Sequence, residues 1–237
     1  MSVSALIFAA GLGTRLRPLT DNRPKALVKY QGKTLLSHAL DKVMGAGISQ
    51  VVVNVHHFPD QIIDFLKSDP KYAGVRVSDE RAYLRDTAGG LRFAEPLLGD
   101  SDTVLLYNVD ILSSIDLRKM LECHKNSGAD VTLAVRDRET SRYLLFDPSD
   151  LSLCGWKNVR TGEMILPSPV ENPRPSAFSG IHVLDRRVIN KIPSVEKQSL
   201  VPFYLKKIGS MRISAYYHQT DEWCDVGKYE QFYNILT

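Results

Sequence analysis

Apolar positions follow two rhythms along the first 135 residues. Short runs at 4–10, 50–55, 74–79, 103–108 and 130–136 are rich in Val, Leu and Ile, as buried strands are. Between them, apolar residues recur at helical spacing. Leu35, Leu36, Ala39, Leu40, Val43 and Met44 make one face, ended by Gly45 and Gly47. Ile62, Ile63, Phe65 and Leu66 make a second, and Leu117, Met120 and Leu121 a third. Strands alternating with helices predict an α/β fold on a mostly parallel sheet covered on both faces.

The rhythm changes after Arg136. Apolar segments at 143–146 and 151–156 flank Asp147-Pro-Ser-Asp150 and predict a β-hairpin. Residues 157–176, rich in Pro, Gly and Asn, read as a loop or lid. Strand patterns return at 178–184 and 213–218, and a helix is predicted over 227–236. No repeat, low-complexity tract or second domain boundary interrupts this pattern. The expectation is one domain over 1–237, with a hairpin and lid-like insertion at about 140–176.

Charge and cysteine content narrow the class. A net charge of +3 is too small, and too concentrated near the N-terminus, to predict a nucleic-acid partner. Cys123, Cys154 and Cys224 are odd in number, far apart and without a Cys-x-x-Cys pair, which favours reduced thiols in a cytoplasm. The first residues lack the basic segment of a secretion signal, and no run approaches the ~20 apolar residues of a membrane helix.

The candidate chemistry starts where the first apolar run ends. Residues 5–10 give way to Gly11-Leu12-Gly13, where the backbone can turn sharply and present N–H groups. Arg15, Arg17, Arg23 and Lys25 follow, opposed only by Asp21. A strand, a glycine turn and then cations suit a polyphosphate. The Walker loop is excluded because Gly-Lys-Ser/Thr is missing. The dinucleotide fingerprint fails because position 16 is Leu and no acidic residue follows near Gly32. A kinase loop fails for lack of Val-Ala-Ile-Lys and His-Arg-Asp.

Asp110 directly follows an apolar strand, and Asp225 lies in Trp223-Cys-Asp-Val-Gly227. Each alone fits a helix cap or turn as well as a metal ligand. With a phosphate loop, the pair suits Mg²⁺ completed by substrate phosphates and water. Residues 87–90 read as a second glycine turn on which a base or ribose can rest, or as a plain helix start. Glu171-Asn-Pro and Ser179-Gly-Ile are weak candidates for sugar hydroxyls, and His56-His57 read as structural or solvated.

The chain resembles the sugar-1-phosphate nucleotidyltransferases (NDP-sugar pyrophosphorylases) from Ala5 to about Phe232. It carries Gly-x-Gly-Thr-Arg-x-x-Pro-Leu-Thr as Gly11 to Thr20, followed by Pro24-Lys25. The resemblance implies a Rossmann-like three-layer sandwich of the nucleotide-diphospho-sugar transferase type. It implies that Ala10, Gly11, Gly13, Thr14 and Arg15 hold the NTP phosphates, and that Arg15 and Lys25 neutralise the α-phosphate and departing pyrophosphate. It also assigns Thr87, Ala88, Gly89 and Asn108 to the nucleotide, Glu171, Asn172 and Gly180 to the sugar, and Asp110 and Asp225 to Mg²⁺. The implied partners are an NTP and a sugar 1-phosphate, with monomer or homo-oligomer left open.

Two positions depart from the family pattern: Val109 stands where Gly is usual, and Asn172 where many members have Lys. In length, and in Pro96-Leu-Leu-Gly-Asp100, Phe178-Ser-Gly-Ile181 and Trp223-x-Asp-Val-Gly227, the chain is most similar to N-acetylmuramate-1-phosphate uridylyltransferases. Short mannose-1-phosphate guanylyltransferases come next. The length also leads one to expect no β-helical acyltransferase domain. The rival readings are a cytidylyltransferase caging a phosphorylated alcohol with Trp156, Tyr143 and Glu171, and a non-catalytic nucleotide-sugar sensor.

Overall fold

A computed structural model describes residues 2–194 and 197–227. In chain order its main elements are β1 (Val3–Phe8), β2 (Lys29–Tyr30), β3 (Lys33–Thr34), α1 (Leu35–Gly45), β4 (Gln50–Val55), α2 (Pro59–Ser68) and β5 (Arg76–Asp79). Then come α3 (Asp86–Ala94), β6 (Thr103–Asn108), β7 (Ile111–Ser113), α4 (Leu117–Ser127), β8 (Val131–Arg136), β9 (Arg142–Phe146), β10 (Leu153–Asn158) and β11 (Met164–Ile165). The described part closes with β12 (Arg174–Asp185), α5 (Leu200–Leu205), β13 (Ile213–Tyr217) and β14 (Trp223–Asp225).

Strand alternation sorts the core into two layers. Ala5, Ile7, Val51, Val53, Val55, Leu105 and Tyr107 face α1, α2 and α4, packing on Leu36, Leu40, Ile62, Leu66 and Met120. Their neighbours Leu6, Val52, Val104 and Leu106 point the other way, onto Leu91 and Ala94 of α3 and Phe203 and Tyr204 of α5. This period-two division is why continuous Val/Leu runs belong in a sheet covered on both faces. The helix ends follow local chemistry. The Thr34 hydroxyl accepts from Ser37 N–H at the start of α1, and Asp116 accepts from Arg118 and Lys119 N–H at the start of α4.

The sheet is mixed, with a parallel core. β5, β4, β1 and β6 run parallel in that spatial order, and β13 pairs parallel with β8. β12 is antiparallel to β6, β8 and β9. The α/β expectation therefore holds, with β12 inserted antiparallel through the middle. The hairpin of β9 and β10 is present, but it pairs onto β12 and so extends the main sheet. The segment 157–176 is only partly loop: it contains β11, paired with β10, and the start of β12. The Pro and Asn content concealed these pairings because they depend on partner strands. The helix expected over 227–236 lies outside the described residues beyond Gly227.

Candidate active site

β1 delivers the chain to the end of the parallel core, where it leaves the sheet at Ala9. The first loop amides are not open: Ala9 and Ala10 N–H both donate to Asn54 Oδ1, at 2.7 and 3.2 Å. Asn54 is the polar interruption in β4 and is buried. Its amide nitrogen donates to Glu80 Oε1 at 2.8 Å, and Glu80 Oε2 accepts from Arg85 N–H at 3.2 Å. Burial pushes the Glu80 carboxyl above the usual carboxylate range, against the pull of Asn54 and Arg85. This Glu80–Asn54 pair pins the start of the loop.

Past Ala10 the loop opens. A Cβ on Gly11 would meet nothing within 4 Å, whereas Gly13 adopts a left-handed φ of 68°. The Gly13 carbonyl accepts from Thr20 Oγ1 at 2.8 Å and from Leu16 N–H at 2.9 Å, folding the Thr14–Leu16 turn back on itself. The loop borders a cavity of about 440 Å³, lined in part by Ala10, Gly11, Gly13, Thr14, Arg15 and Lys25. Glu80, Asp86, Thr87, Asn108, Asp110 and Lys197 complete much of the remaining wall.

Charge converges at one end of this cavity. Lys25 is 8 % exposed, and its ammonium pairs with Asp110. A Cβ built on Gly227 would lie 2.6 Å from Asp225 Oδ1, 2.9 Å from Asp110 Oδ2 and 3.0 Å from Lys25 Nζ. Strands β6, β14 and the loop after β1 thus bring two carboxylates and an ammonium around a space only glycine leaves free. Among the described residues no cluster of three or more His, Cys, Asp or Glu could hold a metal. The donor set fits Mg²⁺, which takes one or two protein carboxylates and completes its shell with phosphate and water.

Asp110 does not have the helix-capping role considered from sequence, and the helix that Asp225 was expected to cap lies outside the described residues. α4 is capped by Asp116, while Asp110 turns to Lys25 and its carbonyl accepts from Val226 N–H. Asp225 Oδ1 accepts from Gly227 N–H at 2.8 Å, fixing the turn that presents it. Val109 is 4 % exposed, packs in the α1/α2/α4 core and needs no left-handed backbone. That departure from the family pattern is absorbed by the core.

The other candidate residues fall in different places. Residues 87–90 are the helix start weighed from sequence, forming the first turn of α3 and not a free glycine turn, and the Gln198 carbonyl accepts from Ala88 and Gly89 N–H at 2.8 and 3.2 Å. Leu200 N–H donates to Thr87 Oγ1, and Ser199 Oγ donates to Asp86 Oδ2. A strap over 197–200 therefore covers the α3 N-terminus, leaving Thr87 on the cavity wall. Glu171 and Asn172 are exposed and outside that wall, on the segment between β11 and β12. Gly180, at φ 78°, sits in a bulge of β12, where a Cβ would come within 3.0 Å of Asn108 Nδ2. His56 Nδ1 donates to the Glu80 carbonyl.

Sequence reading missed Asn54, Glu80, Asp86 and Lys197 on the cavity wall. Only Asn54 carried a signal, as an amide inside Val-Val-Val-Asn-Val. The others acquire their places through contacts distant in sequence.

Residues 4–237 match the model of the nucleotidyl transferase family. The N-acetylmuramate alpha-1-phosphate uridylyltransferase of Caulobacter vibrioides is 37 % identical over 165 residues, covering 68 % of this chain and 64 % of that one. A mannose-1-phosphate guanyltransferase of Aspergillus oryzae is 29 % identical over 241 residues, covering 97 % and 62 %. The chain therefore spans less than two thirds of the length of these curated relatives. In fold it is similar to HddC from Yersinia pseudotuberculosis, with TM-score 0.77, 22 % identity and coverage of 99 % and 98 %. That protein has also been solved complexed with GMP-PN.

Proposed function

The chain belongs to the nucleotidyl transferase family, and within it we propose a sugar-1-phosphate nucleotidyltransferase that makes an NDP-sugar and pyrophosphate. The observation that carries this reading is the convergence of Lys25, Asp110 and Asp225 around Gly227, at the end of the glycine-loop cavity. Such a site has no need of a general base, because the nucleophile arrives as an anion. A sugar phosphate oxygen forms a bond to the α-phosphorus, the bond to the β-phosphate bridging oxygen breaks, and pyrophosphate leaves with the electron pair.

Catalysis then rests on positioning and charge. The loop from Gly11 to Arg15 orients the triphosphate, and the Asn54 clamp holds the loop in register. Arg15 and Lys25 counter negative charge on the transferring and leaving phosphates. Asp110 and Asp225 would hold Mg²⁺, which when bound neutralises phosphate charge.

The first substrate pair is UTP with N-acetylmuramate 1-phosphate, supported by the 37 % identity to the Caulobacter enzyme. GTP with mannose 1-phosphate is the second, supported by matches that cover 97 % of the chain. A pyrophosphate-release screen crossing UTP, GTP, CTP, ATP and dTTP with a panel of sugar 1-phosphates tests both. Turnover with UTP and N-acetylmuramate 1-phosphate supports the first; turnover with GTP and mannose 1-phosphate, and none with UTP, selects the second. Pyrophosphate release with none of the pairs overturns the transferase reading.

A further inference from the structure

Arg138, on the β8–β9 connection, is a half-buried cation that has no carboxylate partner among the described residues. Many arginines of this chain do pair: Arg17 with Asp21, Arg81 with Asp60 and Asp79, Arg174 with Asp137, Arg187 with Asp130 and Asp185. Arg138 is nevertheless held firmly. Its Nη2 donates to the Phe178 carbonyl at 3.1 Å, and its Nη1 to the Glu139 carbonyl at 3.4 Å. The guanidinium lies over the Trp223 ring, 4.5 Å from its centroid. Trp223 is fixed in turn, donating Nε1–H to the Ser179 carbonyl at 2.9 Å, and Ser179 Oγ hydrogen-bonds His218 Nε2 at 2.7 Å.

This scaffold places Arg138 beside the candidate site. Phe178 and Ser179 lead into Gly180, whose close approach to Asn108 borders the cavity wall. Trp223 is two residues before Asp225 on β14, and the Asp225 carboxylate acts on the Arg138 charge. The Nε of Arg138 is buried and has no hydrogen-bond acceptor. Burial pushes the guanidinium below the usual arginine range, so holding the charge here costs free energy that the pull of Asp225 offsets only in part. An oxyanion from outside the protein would offset it.

Resting on the proposed function, we propose that Arg138 receives the phosphate of the incoming sugar 1-phosphate and so sets affinity for that substrate. The triphosphate is served from the β1 side by Arg15 and Lys25, whereas Arg138 comes from the antiparallel side, through β12 and β14. Phosphate matches its chemistry: the planar guanidinium fork suits a tetrahedral oxyanion. The exposed Asn172 supplies no charge to compete for the role.

Trp223 provides a readout apart from turnover, because the chain contains only two tryptophans. In a Trp156→Phe background, emission is titrated with mannose 1-phosphate, N-acetylmuramate 1-phosphate and the corresponding free sugars. A saturable response to at least one sugar 1-phosphate, absent with its free sugar, is expected. Arg138→Gln should weaken that binding roughly 10–100-fold, the range for losing charge-assisted hydrogen bonds, and raise KM for the sugar 1-phosphate in parallel. KM for the NTP should stay within about twofold, and Arg138→Lys should recover part of the loss.

Unchanged sugar 1-phosphate binding in Arg138→Gln overturns the proposal. So does a loss confined to the carboxylate-bearing sugar, which would assign Arg138 to the carboxylate. If Arg138→Gln melts far below the parent, Arg138→Lys carries the test, with unchanged affinity as the overturning result. A wild-type chain that binds sugar 1-phosphates through Arg138 yet releases no pyrophosphate would sink the transferase reading and leave this one standing.

Discussion

A methyl group at Gly227 would enter the space shared by Asp225, Asp110 and Lys25. Gly227→Ala is expected to lower pyrophosphate release at least 10²-fold while leaving the melting temperature within a few degrees, checked by turnover and calorimetry on one preparation. Asp110→Asn should behave differently, because it strips a buried ammonium of its partner. It should cost about 3 kcal/mol in urea unfolding, in addition to a rate loss of about 10²–10³-fold. Adding Lys25→Met to Asp110→Asn should restore most of the stability and none of the turnover. Near-normal turnover in Asp110→Asn or in Lys25→Ala would remove the substituted residue from the mechanism.

At the scale of elements, the strap over 197–200 and the start of α3 act as a unit. Thr87→Val removes the acceptor for Leu200 N–H while keeping the side-chain volume. Amide exchange at Ala88 and Gly89 should then speed up, with KM for the NTP rising several-fold more than kcat falls. Unaltered exchange at both amides would show that the strap does not depend on this bond. The same contacts mark the boundary of what sequence could reveal. The parallel strands, α1, α2, α4 and the glycine loop were legible because local periodicity and spacing encode them, whereas Arg15, Lys25, Asp110 and Asp225 stood out through charge, strand-end position and the family resemblance together. The strap was not, since Thr87 and Leu200 stand 113 residues apart and neither end carries a pattern of its own. The β12 bulge and the covered α3 amides were hidden for the same reason, being properties of pairing and not of composition.

The whole molecule carries histidines whose state depends on the fold being intact. His182 is buried between Phe178 and Tyr204, and burial lowers its pKa to about 3. Burial and the nearby Arg136 lower His218 to about 4 against the opposing pull of Asp221. Both stay neutral in the folded chain, whereas the unfolded chain takes up protons below the ordinary histidine pKa of 6.5. Their contribution is therefore fully present above pH 6.5 and is lost as pH falls toward 4. Stability should drop by about 1.4 kcal/mol per pH unit per histidine between pH 6.5 and 5, read from urea midpoints. His124 is also lowered by burial, so His218→Gln should flatten the slope by one histidine's share, and an unchanged slope would assign it to other groups.

The strap has one more consequence, in the time over which the chain is made. During synthesis the glycine loop, Lys25 and the whole parallel core leave the ribosome well before residue 197 does. Domains fold as the chain emerges, N-terminal parts first, so the nascent protein exposes the loop while α3 still lacks its cover and Asp225 has not been joined to the chain. Any truncated product ending before the strap would display half of the candidate site without the means to complete it.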